Sequence, residues 1–184
     1  MYLITGCNGQ LGRELTARIS NAIATDSDTL DITDFDAVQK FVHENNIDTI
    51  INCAAYTAVD RAETDIDLAT QVNVNGPKNL ARTGCKLVHI STDYVFDGTS
   101  HTPYKTTDTP NPTSVYGKTK LAGERAILQN NDNAIIIRTA WLYSPHGNNF
   151  VKTMLRLGAQ RETINVVCDQ IGTPTYAGDL ADAI

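Results

Sequence analysis

The stretch YLITGCNGQLG, residues 2–12, decides the reading of the fold. YLIT has the length and β-branched, apolar content of a buried strand, and glycines 6, 9 and 12 lead from it into a helical pattern. A glycine-rich turn between a strand and a helix lets a pyrophosphate approach backbone N–H groups at the positive end of the helix. Three glycines alone are weak evidence, because glycine also makes ordinary tight turns. Strand, turn and helix stand here in the required order, which predicts dinucleotide binding with Gly6, Gly9 and Gly12 in the turn.

The rest of the chain extends the pattern. Tyr2–Thr5, Ala22–Thr25, Asp48–Asn52, Lys86–Ser91 and Ala134–Thr139 read as strands whose nearly continuous apolarity suits burial on both faces. Helical patterns lie between them at Gly9–Ile19, Thr33–Asn45, Thr64–Arg82 and Pro112–Gln129, with Asp31 or Thr33 as the cap of the second. This alternation predicts an α/β fold, a doubly wound parallel sheet of Rossmann-like type with helices on both faces. Ligands of such sheets lie beyond the strands' C-terminal ends, so the residues after each strand are the ones to inspect. Residues 1–140 are expected to form the dinucleotide-binding domain and 141–184 the start of a substrate-binding region. Ser91–Pro112 is too long and polar for a plain connector and reads as a functional loop.

Composition narrows the function class. The 184 residues suffice for one well-buried domain, and 41% apolar with 20% charged residues is ordinary for a globular protein. A net charge of −6 argues against nucleic acid or an anionic membrane as partner, and no apolar run is long enough to span a bilayer. Cys7, Cys53, Cys85 and Cys168 show no CxxC spacing and read as reduced thiols of a cytoplasmic protein. His43, His89, His101 and His146 have no ligand spacing, so no metal site is expected and structural roles are expected for all four.

After the second strand, Asp26 lies twenty residues beyond Gly6, where an acid would accept from the adenosine ribose. Asp28 is an alternative, Asp31 is placed for the adenine region, and a solvated acidic loop is the competing reading. No basic pair follows, so nothing demands a 2′-phosphate, although Arg13 and the loop hydroxyls could accept one. After the third strand, the small Ala54 and Ala55 would let a cofactor pass closely, and Thr57 offers a hydroxyl. The fourth strand ends in STDYVFDG, where Ser91 and Thr92 bring hydroxyls to the crevice. Their location favours carbonyl binding over a purely turn-satisfying role.

In NPTSVYGKTKLAGE, residues 111–124, Tyr116 and Lys120 stand four apart on a helical pattern and share a face. A phenol is a poor acid at neutral pH, and a nearby ammonium favours its phenolate. Such a tyrosine can protonate a developing alkoxide while hydride arrives from a nicotinamide. The spacing alone could be chance or a solvated helix; its place after a hydroxyl-bearing strand end, in a chain opening with a glycine turn, favours catalysis.

TGCNGQLG, NCAAYTAVDRAE, HISTDYVFDG, VYGKTKLAGE, RTAWLYSPHGNNFVKTML and DQIGTPTYAGDLA together resemble the extended short-chain dehydrogenase/reductases, and within them the dTDP-4-dehydrorhamnose reductase family, across essentially the whole chain. The resemblance implies an NADPH- or NADH-dependent enzyme that reduces the C4 keto group of dTDP-4-dehydro-L-rhamnose to dTDP-L-rhamnose. By motif it implies Tyr116 as proton donor, Lys120 on the nicotinamide ribose and tuning that tyrosine, and Thr92 on the keto group. It places Gly9, Gln10 and Leu11 at the pyrophosphate and Ala55, Tyr56 and Thr57 along the ribose and nicotinamide; Gly6, Asn8, Gly12, Asp26, Asp31, Ile32 and Ala54 complete the expected cofactor-binding set, which also takes in Tyr116 and Lys120. Asp93 and Trp141 would contact the dTDP-sugar. It allows a homodimer. Family members run longer, so the chain is expected to lack part of its substrate-binding lobe, and NLARTGCKLVHIS is several residues shorter than in relatives. Two rivals remain at this point: a reductase of another dTDP-4-keto-6-deoxyhexose, and a non-catalytic regulatory subunit resembling the beta subunit of methionine adenosyltransferase.

Overall fold

A computed structural model describes residues 1–184. Its strands β1 (Tyr2–Thr5), β2 (Ala22–Thr25), β3 (Thr49–Asn52), β4 (Lys86–Thr92) and β5 (Ala134–Thr139) form one parallel sheet in the order β2-β1-β3-β4-β5. The helices are α1 (Gln10–Arg18), α2 (Phe35–Glu44), α3 (Val59–Ala62), α4 (Ile66–Thr70), α5 (Gly76–Arg82), α6 (Val115–Leu128), α7 (Phe150–Gly158) and α8 (Ala177–Ala183). The strand order reverses at β1 and β3, which makes the crevice beyond their C-terminal ends the expected ligand site.

Register explains the two cores. Leu3, Ile50 and Leu87 lie side by side on one face and are covered by residues of α2, α5 and α6, among them Val38, Leu80 and Ile127. Ile4 and Ile51, one residue on, face the other way and meet Leu11 and Leu15 of α1 and Ala181 of α8. Each fully buried aliphatic side chain here contributes about 1.5–3 kcal/mol. The same alternation carries a polar row, Thr5, Asn52 and His89, across the face that α6 covers, two residues beyond the Leu3 row.

All five expected strands form, with ends shifted by no more than one residue. The helices differ more. Asp34, rather than Asp31 or Thr33, caps α2, accepting from the Ala37 amide at 3.0 Å. Asp31 is engaged earlier, where its carboxylate takes the Thr33 amide and hydroxyl, both at 2.8 Å. The Thr64–Arg82 pattern is not one helix: α4 and α5 are joined by a π-helical turn, Gln71–Asn75, a form frequent at functional sites. Beyond β5, Leu142–Tyr143 (β6) and Thr175–Tyr176 (β7) pair as a small parallel sheet. Helix α8 then returns to α1, joined by Arg18 to Asp182 at 2.5 Å. No helix is long and apolar enough to cross a membrane.

Candidate active site

The glycine turn is built as its sequence demands. Gly6 adopts φ +68°, and the Gly9 amide donates back to Gly6 O at 3.1 Å. A Cβ on Gly12 would collide with Gly6 O and lie 2.7 Å from Cys7 Cα, so only glycine lets the helix start this close to the turn. Gly9 caps α1 without a side-chain acceptor, and the amides of Gln10, Leu11 and Gly12 find none elsewhere in the chain. An uncapped helix start with three free donors attracts an anion.

Beyond β2, Asp26 turns to the glycine turn and accepts from the Asn8 amide at 3.0 Å. It thus stands beside the turn while also bracing it. Asp28 and Asp31 are exposed. Ile32 is different: its side chain lies in the main core, and its carbonyl accepts from Asn79 Nδ2 at 3.1 Å.

Ala54, Ala55, Tyr56 and Thr57 run out from β3 across the crevice, with Thr57 exposed. Asn73, from the π-helical turn, clamps this run: its Oδ1 accepts from the Tyr56 amide at 2.9 Å, and its Nδ2 donates to Tyr56 O and to Thr119 Oγ1, each at 3.2 Å. The Tyr56 phenol donates to Asp65 at 2.8 Å, and burial together with that carboxylate raises its pKa.

Thr92 and Tyr116 come together at the end of β4, while Lys120, one turn further along α6, is turned away from both. Ser114 caps α6 by accepting from the Gly117 amide at 3.1 Å, and so fixes where Tyr116 emerges. The Tyr116 ring packs edge-on against Tyr94, with centroids 5.5 Å apart, and is 9% exposed. Burial pushes the phenol up from its ordinary value, the neighbouring Thr92 hydroxyl pulls it down, and Asp93 and Tyr94 push it further up. Lys120 does not lower it here. The ammonium is 2% exposed and points inward, donating to Ile90 O at 2.7 Å and standing 3.3 Å from His89 Nε2. Desolvation brings Lys120 down to about 8, against the opposing pull of Glu124.

Ser91 corrects an expectation. Side chains alternate along β4, so Ser91 faces α6 with His89 rather than the crevice. Its hydroxyl donates to Glu124 at 2.5 Å, and Glu124 holds Arg138 by two bonds of 2.9 and 2.6 Å. Only Thr92 remains to face a carbonyl. Asp93 is half-buried, takes the Thr92 hydroxyl at 3.1 Å, and is raised by desolvation. Trp141, at φ +51°, stacks edge-on with Phe150 at 5.5 Å. A bulky residue in the left-handed region is strained backbone, a state that clusters at ligand sites.

Gln10, expected at the pyrophosphate, turns its side chain to the later segment instead, donating to Leu142 O at 3.3 Å and accepting from Asn149 at 2.9 Å. Two residues of this region escaped the sequence reading. Asn52 and His89 sit fully buried beneath Lys120. The available signal was a polar residue inside an otherwise apolar strand, as in TIIN and KLVHIS. No cluster of three or more potential metal ligands is present.

The RmlD substrate binding domain family matches residues 1–184. The dTDP-4-dehydrorhamnose reductase of Aggregatibacter actinomycetemcomitans is 46% identical over 191 residues, which cover 99% of this chain and 65% of that protein. The crystal structure of a dTDP-4-dehydrorhamnose reductase from Clostridium acetobutylicum superposes with a TM-score of 0.95 at 50% identity, covering 99% of this chain and 68% of that one. The Bacillus anthracis dTDP-4-dehydrorhamnose reductase in complex with NADP also gives 0.95, at 46% identity, again over 99% of this chain and 68% of that one. The chain therefore spans about two thirds of the length of these relatives.

Proposed function

Because the chain belongs to the RmlD substrate binding domain family, we propose that it carries the cofactor-binding and catalytic part of a dTDP-4-dehydrorhamnose reductase, acting in the cytoplasm on a dTDP-sugar. The observation that carries this reading is the convergence of Thr92 and Tyr116 beyond β4, on the same crevice as the uncapped, glycine-cradled start of α1.

The residues present fit a dinucleotide. The free amides of Gln10, Leu11 and Gly12, with Gly6, Asn8 and Gly9 around them, would hold a pyrophosphate. Asp26 would accept from a ribose, with Asp31 and Ile32 bordering the adenosine half, and Ala54, Ala55, Tyr56 and Thr57 would pass along the nicotinamide half. A bound NADPH or NADH would supply the hydride, and a relative's complex with NADP supports the phosphorylated form.

Thr92 then orients the keto oxygen, and Tyr116 delivers a proton to it as negative charge develops. The buried, elevated phenol is a proton carrier at neutral pH. Lys120 would turn from Ile90 O to the ribose hydroxyls and, as an ammonium, hold the resulting phenolate. Asp93 and Trp141 would contact the sugar nucleotide. Residues 1–140 form the cofactor part and 141–184 begin the substrate part, with α8 bracing α1. A homodimer fits this reading.

The test is oxidation of NADPH and of NADH by this chain with dTDP-4-dehydro-L-rhamnose, beside Tyr116→Phe and a cofactor titration. Turnover that falls about 10²–10⁴-fold in the variant while cofactor affinity holds is the expected result. A folded chain that binds neither cofactor would overturn the reading. Cofactor binding without turnover, together with a stable complex with methionine adenosyltransferase, would assign a regulatory role instead.

A further inference from the structure

The row of polar side chains under α6 has a direction. The Ala54 amide can only donate, and it donates to Asn52 Oδ1 at 3.1 Å; the Thr5 hydroxyl donates to the same oxygen at 2.7 Å. These two contacts fix the Asn52 amide, so its Nδ2 must face His89 Nδ1, 2.9 Å away. An amide N–H can pair with that nitrogen only if His89 Nδ1 accepts. The neutral ring must then carry its proton on Nε2, and Nε2 stands 3.3 Å from Lys120 Nζ. An Nε2–H pairs with an amine lone pair and not with an ammonium.

We propose that Asn52 and His89 are positioning residues for Lys120: by presenting an Nε2–H donor to its amine, they couple the charge of Lys120 to the tautomer of His89 and set the pH at which Lys120 loses its charge. The uncharged amine satisfies every bond in the row, because Nζ still donates to Ile90 O. The ammonium satisfies them only if His89 moves its proton to Nδ1 and the Asn52 amide turns over, which sets its Nδ2 against the Ala54 N–H. The groups around Nζ do not supply another acceptor. On α6, Tyr116 is protonated and Glu124 is bonded to Ser91 and to Arg138 of β5. At the end of β3 the Cys53 thiol is pushed up to about 12 and is uncharged. His89 itself is fully buried and held neutral by desolvation and by Lys120. The geometry thus acts in the same direction as the desolvation that brings Lys120 to about 8.

The catalytic consequence rests on the reductase reading given above. If the ammonium must hold the phenolate, the alkaline limb of turnover follows Lys120, and His89 places that limb close to neutrality. The direct test needs neither cofactor nor substrate. On the ¹⁵N-labelled full chain, long-range proton–nitrogen correlations report the His89 tautomer, and the Lys120 ε-methylene shifts report its titration. We expect the Nε2–H tautomer at pH 9.5, and a Lys120 proton affinity at least about tenfold higher in His89→Gln, whose terminal oxygen can sit at the Nε2 position and accept. The alkaline limb of kcat/KM should move up with it, which a merely structural histidine would not cause. An Nδ1–H tautomer in the unaltered chain at pH 9.5 overturns the proposal, and that measurement stands alone should His89→Gln not fold. An unchanged Lys120 titration in a folded His89→Gln also overturns it. Nuclear magnetic resonance results as expected in a folded chain that binds neither NADPH nor NADH would reject the reductase reading and leave the coupling intact; cofactor-dependent turnover with the wrong tautomer would do the reverse.

Discussion

Lys120→Met should make the protein more stable at pH 7 while removing its turnover. Lys120 is among the most deeply buried side chains of the fold, and burial brings its pKa from 10.5 to about 8. A lysine whose folded value lies below its unfolded value binds protons less well in the folded state. Its folding penalty is therefore largest below the folded value and disappears above 10.5. Converted at about 1.4 kcal/mol for each pH unit of displacement, the penalty at pH 7 is about 3 kcal/mol. Methionine follows the same stem and removes the charge. It also removes the donor to Ile90 O, and leaving that carbonyl unpaired costs about 1 kcal/mol.

The balance is a gain of about 2 kcal/mol at pH 7, or about 4–8 °C in Tm for a chain of this size. Urea unfolding of both proteins at pH 7 and pH 9.5 measures it. The unaltered protein should recover part of the deficit at the higher pH, because its unfolded state then binds more protons than its folded state and stability rises with pH. The variant lacks that recovery, so the difference between the two narrows. A variant less stable at pH 7, or a difference independent of pH, would refute the claim that Lys120 is a desolvated charge held at a cost to folding.

Arg138→Met should lower stability by about 3–5 kcal/mol in urea unfolding, because it leaves the buried Glu124 carboxylate without its bidentate partner. Combining it with Glu124→Gln should return much of that loss, because no uncompensated charge then remains. Gly12→Ala should abolish cofactor binding, read by fluorescence titration, since the added methyl would drive Gly6 O and Cys7 out of the turn. Acid should destabilise the fold through His89, whose folded value lies well below 6.5: the stability it contributes is complete above pH 6.5 and is lost as pH falls through that value. Relative to His89→Gln, the slope below pH 6 should be steeper by about 1.4 kcal/mol per pH unit.

The sheet was legible because the strands are short runs of apolar, β-branched residues covered on both faces, and because they alternate with helix-length amphipathic segments. The glycine turn was legible because spacing and order reported it together. Helix detail was less so. TDIDLATQVNVNGPKNLAR keeps a helical period, and its one warning is Gly76-Pro77, since Pro77 has no N–H for the carbonyl four residues earlier; that Asn73 of the π-helical turn bonds both Tyr56 and Thr119 could not be read from it. The site was half legible. Tyr116 and Lys120 could be paired by spacing, but the partner of each could not, since that depends on which face of β4 meets α6. Ser91 illustrates the limit: its neighbour Thr92 carries the same hydroxyl chemistry, and only strand alternation sends one to Glu124 and the other to the crevice.

The same alternation accounts for why the polar row persists in a core that would fold more firmly without it. Thr5, Asn52 and His89 occupy positions that continue the Leu3, Ile50 and Leu87 row, and apolar residues there would extend the packing under α6. Replacing the row and Lys120 by aliphatic side chains of similar volume would remove a desolvated charge and three polar side chains that must all be paired. The proposed role of a titrating group at the level of Tyr116 gives a reason for retaining them, beside the pairing of the Ala54 amide by Asn52. The row places that group one helical turn beyond the phenol, out of water, with an acceptor at Ile90 O and a neutral imidazole behind it. Stability lost at Lys120 and proton chemistry at Tyr116 are in this view one arrangement, and Lys120→Met should separate them by raising the first while ending the second.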